Sequence, residues 1–285
     1  MGPGRRGARR ARALSLARAR PRLGLAPPED PVRTNALKAK LGAGQRVVGA
    51  LLTINSADLV ELFGHLGYDF VFLDAQHGGL SAETARELVR AAELTGMTPL
   101  IRVPRNDPAV ILEYLEIGAG GIIVPDVASR ADAEAAVRAV KYPPEGARGA
   151  MFASRAAFYG IPRSAPEYVR RANAETMVVP ILESKDVLPV LDDVVQVPGV
   201  DLFTIGPADL GLSMGIQGGW GEPPIQAAVD RIHQAIRAAG RPTMIVARDP
   251  EDGRRLAAQG YQALLVITGS LLVSAGRSML QALRA

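Results

Sequence analysis

The chain has no cysteine, one tryptophan and three histidines in 285 residues. Without cysteine there is no disulfide, no thiolate nucleophile and no thiolate-ligated zinc or iron–sulfur centre. That is compatible with a reducing compartment. No apolar run approaches the ~18 uninterrupted residues that a membrane span requires. Lysine is scarce too, at positions Lys38, Lys40, Lys141 and Lys185 only. None of them lies in a strand-like run, which argues against Schiff-base chemistry, because that needs a lysine desolvated in an interior. What remains is ordinary for a globular chain, with 48% hydrophobic and 22% charged residues. A chain of this length buries roughly three quarters of its unfolded surface and needs no staples. Its length fits two domains or a single (β/α)8 barrel of ~250 residues.

The formal charge is +4, but it is unevenly placed. Residues 1–31 hold eight arginines against Glu29 and Asp30, a local charge of +6, so the remainder carries −2. The body therefore lacks the basic excess expected of a nucleic-acid partner. The tail is Arg, Ala, Gly and Pro without periodicity, and it reads as disordered. Three origins compete: a start-site artefact upstream of a natural start near Val32, an organelle transit segment, and a basic arm for an anionic surface. No apolar stretch follows the arginines, so it is not a secretory signal. The expected organisation is a basic tail over 1–31 and one domain over 32–285. The expected location is cytoplasmic, with organelle targeting by the tail left open.

From Arg46 onward, short apolar runs alternate with helical stretches. The runs are Val47–Ile54, Phe70–Asp74, Pro99–Val103, Gly121–Pro125, Met177–Leu182, Val200–Ile205, Thr243–Ala247 and Ala263–Ile267. Their near-continuous apolar character suits parallel strands buried on both faces. Between them, Leu59, Leu62, Phe63 and Leu66 mark one helix face, and Ile225, Val229, Ile232 and Ile236 another. Ser56, Ser81, Ser129, Asp107-Pro108 and Asp249-Pro250 read as helix starts. Gly67, Gly96, Gly118, Gly240 and Gly260 read as helix stops. Eight strand–helix units predict an α/β fold, a (β/α)8 TIM barrel. A doubly wound open sheet is the alternative, but the first strand ends in "LLTINSAD" without a glycine phosphate loop. No organic cofactor is expected.

In such a barrel, chemistry sits at the C-terminal ends of the strands. Those positions hold Asp74, Gln76 and His77 after the second run, Arg102 on the third, Asp126 after the fourth, Glu183 after the fifth and Asp209 after the sixth. Each has a structural reading. Asp74 and Asp209 suit N-caps, Glu183 suits a helix dipole, Arg102 suits a pair with Asp74, and His77 suits a polar loop. Their shared placement on one face favours function. Two carboxylates on adjacent strands suit a hard cation, Mg²⁺ or Mn²⁺ rather than Zn²⁺, with Co²⁺ a third candidate. Two protein ligands leave room for a chelating 2-oxo acid. An arginine holds charge on a developing enolate oxygen, and a histidine moves a proton directly or through bound water. His65 and His233 fall on helices and read as surface or packing residues.

At these residues the chain resembles the HpcH/HpaI metal-dependent aldolases, from about Arg33 to near the C-terminus. The motifs are "FVFLDAQHGG", "PLIRVPRNDP", "GAGGIIVPDV", "KYPPEGARG", "RAAFYG", "ILES" and "DLFTIGPADLGLSMG". The resemblance implies a barrel of the phosphoenolpyruvate/pyruvate type, with its last helix often exchanged between subunits of a hexamer. It implies His77 as base, Arg102 as the enolate-stabilising arginine and Asp74 as an acidic residue near that histidine and the metal-bound water. It implies Glu183 and Asp209 as metal ligands, and Gly206, Pro207 and Ala208 as the cradle for the pyruvate carboxylate. Glu116 falls where the family often has an Asp that raises the basicity of the histidine. Gln76 replaces a common Glu, and Ile181 replaces a substrate-contacting Gln of some members. The expected activity is reversible cleavage of a 4-hydroxy-2-oxo acid to pyruvate (or a related 2-oxo acid) and an aldehyde. Acceptor choice is expected to lie in residues 151–175 and 211–224, with a neighbouring subunit as a further contributor left open. The alternatives are a citramalyl- or malyl-thioester lyase and a non-catalytic 2-oxo-acid binding protein.

Overall fold

A computed structural model describes residues 32–161 and 164–284. The basic tail, residues 1–31, lies outside the described residues. Helix α1 (Ala36–Gly42) leads into β1 (Val47–Leu52), α2 (Ala57–His65), β2 (Phe70–Asp74), α3 (Ala82–Leu94), β3 (Thr98–Arg102), α4 (Pro108–Glu116), β4 (Gly121–Val124) and α5 (Arg130–Val140). The second half continues with α6 (Ala165–Glu175), β5 (Met177–Leu182), α7 (Leu191–Val195), β6 (Phe203–Ile205), α8 (Pro207–Ser213), α9 (Pro223–Ala238), β7 (Thr243–Val246), α10 (Pro250–Gln259), β8 (Ala263–Ile267) and α11 (Thr268–Arg284). The eight strands are parallel and close into a barrel, because β1 pairs with β2 on one side and with β8 on the other. Closure rules out the open doubly wound sheet.

The helix starts follow from local chemistry. The hydroxyls of Ser56, Ser81 and Ser129 accept the N–H three residues on, and Asp107 and Asp249 each accept two such donors ahead of a proline. These bonds satisfy amides that a helix cannot pair internally. One expected face is corrected. In α2 the buried residues are Val60 and Phe63, whereas Leu62 and Leu66 are 51% and 65% exposed. The helix ends at His65, so Leu66 is outside it and the buried stripe is rotated by about one residue. The stripe Ile225, Val229, Ile232 and Ile236 on α9 is buried as expected. His65 is exposed and His233 is packed against Tyr261 with its ring bonded to Thr243, so neither belongs to a site.

Strand side chains alternate between two cores. Phe70, Phe72, Leu100, Ile123, Val179, Ile181 and Leu202 fill the barrel interior. Val71, Leu73, Ile101, Ile122, Val178 and Leu182 face the helices. Helix α1 was not foreseen. Its Leu37 and Leu41 belong to the interior cluster, so it plugs the end of the barrel where the strands begin. The "KYPPEGARG" segment builds a buried knot at that same end. Lys141 Nζ donates to the carbonyls of Asn173 and Thr176, just ahead of β5. A Cβ on Gly146 would lie 2.2 Å from the Lys141 carbonyl oxygen. The buried lysine thus supports structure at the face opposite the strand ends.

Helix α11 differs from the others. Every residue from Ser270 to Arg284 is exposed, including Leu271, Leu272, Val273, Met279, Leu280 and Leu283. An apolar helix with no surface to lie on is unusual for an isolated chain.

Candidate active site

The interior alternation carries directly into the mouth. Phe72 points inward, so Asp74 does too; Leu100 sets Arg102, Ile181 sets Glu183, and Leu202 sets Thr204 and Gly206. The β2–β3 register places Asp74 beside Arg102. Arg102 Nε donates to Asp74 Oδ1 at 2.9 Å and Nη2 donates to Oδ2 at 2.6 Å. This bidentate pair uses two of five guanidinium donors and leaves the others for a ligand.

Asp74 also organises the turn after β2. Its Oδ1 accepts the backbone N–H of Gln76 at 3.0 Å and of His77 at 3.2 Å. An aspartate closing a turn on amides two and three residues ahead is a stable local device. Gly78 completes it, because a Cβ there would come within 2.3 Å of the Asp74 carbonyl oxygen. The result presents His77 exposed at the mouth. Burial alone would raise the Asp74 pKa. The Arg102 bonds, its charge and the two backbone donors outweigh that and hold the carboxyl below its ordinary range. Ser81, not Asp74, caps the following helix.

Glu183 is the second centre. It is 4% exposed, and its Oε1 accepts the N–H of Asp126 at 3.0 Å. Burial pushes its pKa up to about 7, with Asp209 and Asp126 adding repulsion against the Asp126 N–H and the Arg102 charge. Ser184 caps the helical turn that follows, so Glu183 is not serving a helix dipole. Asp209 is exposed in the first turn of α8, whose N-cap position is Gly206 with no side-chain cap. A buried carboxylate facing two more, with the nearby arginine already engaged, is a charge pattern that a divalent cation relieves. The donor set is all oxygen, so it fits Mg²⁺ or Mn²⁺. Among the described residues no group of three or more His, Asp or Glu is arranged to hold a metal.

Gly206 is fixed by close approach. A Cβ would meet Glu183 Oε2 at 2.6 Å, Glu183 Cβ at 2.8 Å and Ile181 Cγ2 at 3.3 Å. Ile181 is buried beneath Gly206 and forms an apolar floor. Pro207 is buried, and Ala208 is exposed at the start of α8. Gln76, in the turn held by Asp74, has its side-chain carbonyl oxygen buried and unpartnered.

Within one chain, two expected elements lie away from the mouth. Glu116 ends α4, which runs back down the barrel, so it reaches the face opposite the mouth of its own chain. There its Oε1 takes a bond from Arg148 at 3.1 Å, and its backbone carbonyl takes the Ala156 N–H. The structure does not bring it to His77. Residues 151–161 bond to that same region through Arg155 and Glu93, and 165–175 form α6, so this stretch does not frame the chain's own mouth. Residue 213 does, since the Ser213 hydroxyl accepts the Lys185 N–H. Sequence reasoning noted Asp126 at a strand end but not its backbone bond to Glu183. No local signal marks that bond.

The chain is thus a closed (β/α)8 barrel whose strand-end mouth carries the Asp74–Arg102 pair, His77, Glu183 and Asp209. The chain belongs to the HpcH/HpaI aldolase/citrate lyase family, whose profile matches residues 48–274. It is 36% identical over 232 residues to the hydroxypyruvate/pyruvate aldolase of Sagittula stellata, spanning 81% of this chain and 90% of that one. It is 31% identical over 240 residues to the 5-keto-4-deoxy-D-glucarate aldolase of Shigella boydii, spanning 84% and 91%. The solved structure of an HpcH/HpaI aldolase/citrate lyase family protein from Burkholderia cenocepacia J2315 superposes with a TM-score of 0.84. It is 30% identical and covers 88% of this chain and 100% of its own. Among the described residues no helix is long and apolar enough to cross a membrane.

Two outcomes test this geometry. Gly206→Ala should push Glu183 off its position and lower kcat/KM at least tenfold with the fold retained, as read by steady-state kinetics and circular dichroism. Unchanged kinetics would contradict the close approach. Asp74→Asn should destabilise by about 3 kcal/mol, because it leaves a buried guanidinium without its counter-charge. The Asp74 carboxyl is depressed in the fold, so its contribution is full above the ordinary aspartate pKa near ~3.9 and fades as pH falls below that. The Tm deficit of the variant should therefore be full at neutral pH and shrink below about pH 4. A deficit constant with pH would remove the pair from that role.

Proposed function

We propose that the protein is a divalent-metal-dependent aldolase that reversibly cleaves a 4-hydroxy-2-oxo acid to pyruvate, or a related 2-oxo acid, and an aldehyde. The observation that carries this reading is the buried Glu183 carboxyl, raised to about 7 beside Asp209 and Asp126, facing the Asp74–Arg102 pair. Aldolase names on the relatives support it. Glu183 and Asp209 would hold the cation. When bound, it acts as a Lewis acid on the 2-oxo group.

The chain's own residues do the rest. The backbone of Gly206, Pro207 and Ala208 receives the substrate carboxylate at an uncapped helix start, where amide donors point outward. Ile181 closes the floor beneath and excludes water. His77 removes the 4-hydroxyl proton, the C3–C4 bond breaks, and C4 leaves as an aldehyde carbonyl. The electron pair passes to C3 and the 2-oxo oxygen. The unspent donors of Arg102 stabilise charge on that oxygen, and Asp74 holds the guanidinium in place. C3 then takes a proton, and pyruvate leaves. Reversal gives aldol addition. Glu116 takes no part within one chain.

The exposed apolar residues of α11 support a homo-oligomer in which a second copy covers that helix. Light scattering should give a multiple of 30.1 kDa, and Leu280→Asp should shift the mass toward one chain. A monomeric wild type would contradict this.

The activity is tested by pyruvate release from a panel of 4-hydroxy-2-oxo acids, using metal-stripped protein with and without Mg²⁺, Mn²⁺ or Co²⁺. Release should require added metal, and His77→Ala should lower it about 10²- to 10⁴-fold. Full rate in that variant would overturn the base assignment. Cleavage of an acyl thioester with no free acid turned over would move the function to a thioester lyase.

A further inference from the structure

Asp126 stands two residues beyond β4, with φ at 57°. That left-handed region disfavours residues with a Cβ, although Asp and Asn tolerate it best. Strain of this kind at a strand end marks a position held by its surroundings. Here the turn aims the Asp126 N–H at Glu183 Oε1, 3.0 Å away. The side chain itself is exposed, and its charge reaches Glu183. The residues proposed to hold the cation are Glu183 and Asp209, and Asp126 is a further carboxylate at the same mouth.

The fixed charges of the mouth show what Asp126 is left to act on. Asp74 and Arg102 offset each other across their bidentate pair. A divalent cation offsets Glu183 and Asp209. The carboxylate of the 2-oxo acid is met by the amides at the start of α8. Asp126 then adds an exposed negative charge within reach of Glu183, and that charge acts on whatever the aldehyde half carries. Arg105 and Lys185, on the flanking loops, are exposed to solvent, whereas Asp126 is tied through its own backbone to Glu183. Coulomb repulsion needs no contact to act across such a mouth.

We propose that Asp126 is a specificity-determining residue that selects uncharged aldehydes and rejects aldehydes bearing a carboxylate. The inference rests on the aldolase reading and adds the class of acceptor. The test uses the metal-loaded full chain, pyruvate as donor, and two small acceptors: glycolaldehyde, which is neutral, and glyoxylate, which is anionic. Wild type should favour glycolaldehyde in kcat/KM. Asp126→Asn keeps the left-handed turn and the backbone N–H but removes the charge. It should raise the glyoxylate-to-glycolaldehyde ratio roughly tenfold, through faster use of glyoxylate. Added salt should raise the same ratio in wild type and leave it flat in the variant, a response that a merely structural role would not give. Asp126→Gly, which also accepts the turn, should match Asn. A ratio within twofold of wild type in both variants overturns the proposal, as does a rise caused only by lost glycolaldehyde activity. If wild type adds neither aldehyde, the aldolase reading fails and this inference falls with it; if it adds both equally and the variants change nothing, only the inference falls.

Discussion

Asp74 and Arg102 meet side by side where β2 and β3 reach the mouth, and the rest of the site is arranged around them. The pair is buried and bidentate, so each partner would be costly without the other. Asp74 spends its remaining capacity on the amides of Gln76 and His77, which fixes the loop that presents the histidine. Arg102 keeps three donors beyond the pair. One ion pair therefore sets the position of both the His77 backbone and the Arg102 guanidinium. The barrel makes this possible, because strand register places the two residues at one level and closure brings Glu183 round to face them.

Glu183 supplies the opposing tension. Burial, with Asp209 and Asp126 nearby, holds its carboxyl above the ordinary range. Gly206 has no side chain because the carboxylate of Glu183 occupies that space. Site and scaffold are thus coupled through steric contact as well as charge. The same chain end that begins α8 gives an amide-lined start without a side-chain cap, next to the acidic pair. An acidic pocket beside amide donors suits a substrate that brings both a chelating oxygen and a carboxylate.

Much of this was legible in the sequence because it is local. The strands buried on both faces read as continuous apolar runs, and β2, β5 and β8 match their expected limits. The capping serines and the Asp-Pro starts depend on residues three or fewer apart, so they too could be read. Asp74, His77, Arg102, Glu183 and Asp209 were legible as strand-end polar residues, and the structure brings them to one mouth. What was missed depends on distance. The face of α2 is set by what it packs against, so Leu62 and Leu66 lie outside the core despite suitable spacing. Helix α1 is too short to show a repeating apolar face, so its role appears only when Leu37 and Leu41 are placed under the barrel. Glu116 lies two helices beyond His77 in sequence, and α4 carries it to the far end. The bond from Asp126 to Glu183 joins residues 57 apart and has no sequence signature. Several motifs that carry the family resemblance, "KYPPEGARG" above all, prove to build the far face of the barrel rather than the site.

The central claim is that Glu183 and Asp209 together hold a divalent cation opposite the Asp74–Arg102 pair. Anomalous diffraction from crystals grown with Mn²⁺ and pyruvate tests it most directly. The account predicts one strong peak between the two carboxylates, with the pyruvate carboxylate toward Gly206–Ala208 and its 2-oxo oxygen toward Arg102. A peak elsewhere on the chain, or pyruvate bound at the mouth with no metal beside Glu183, would contradict it.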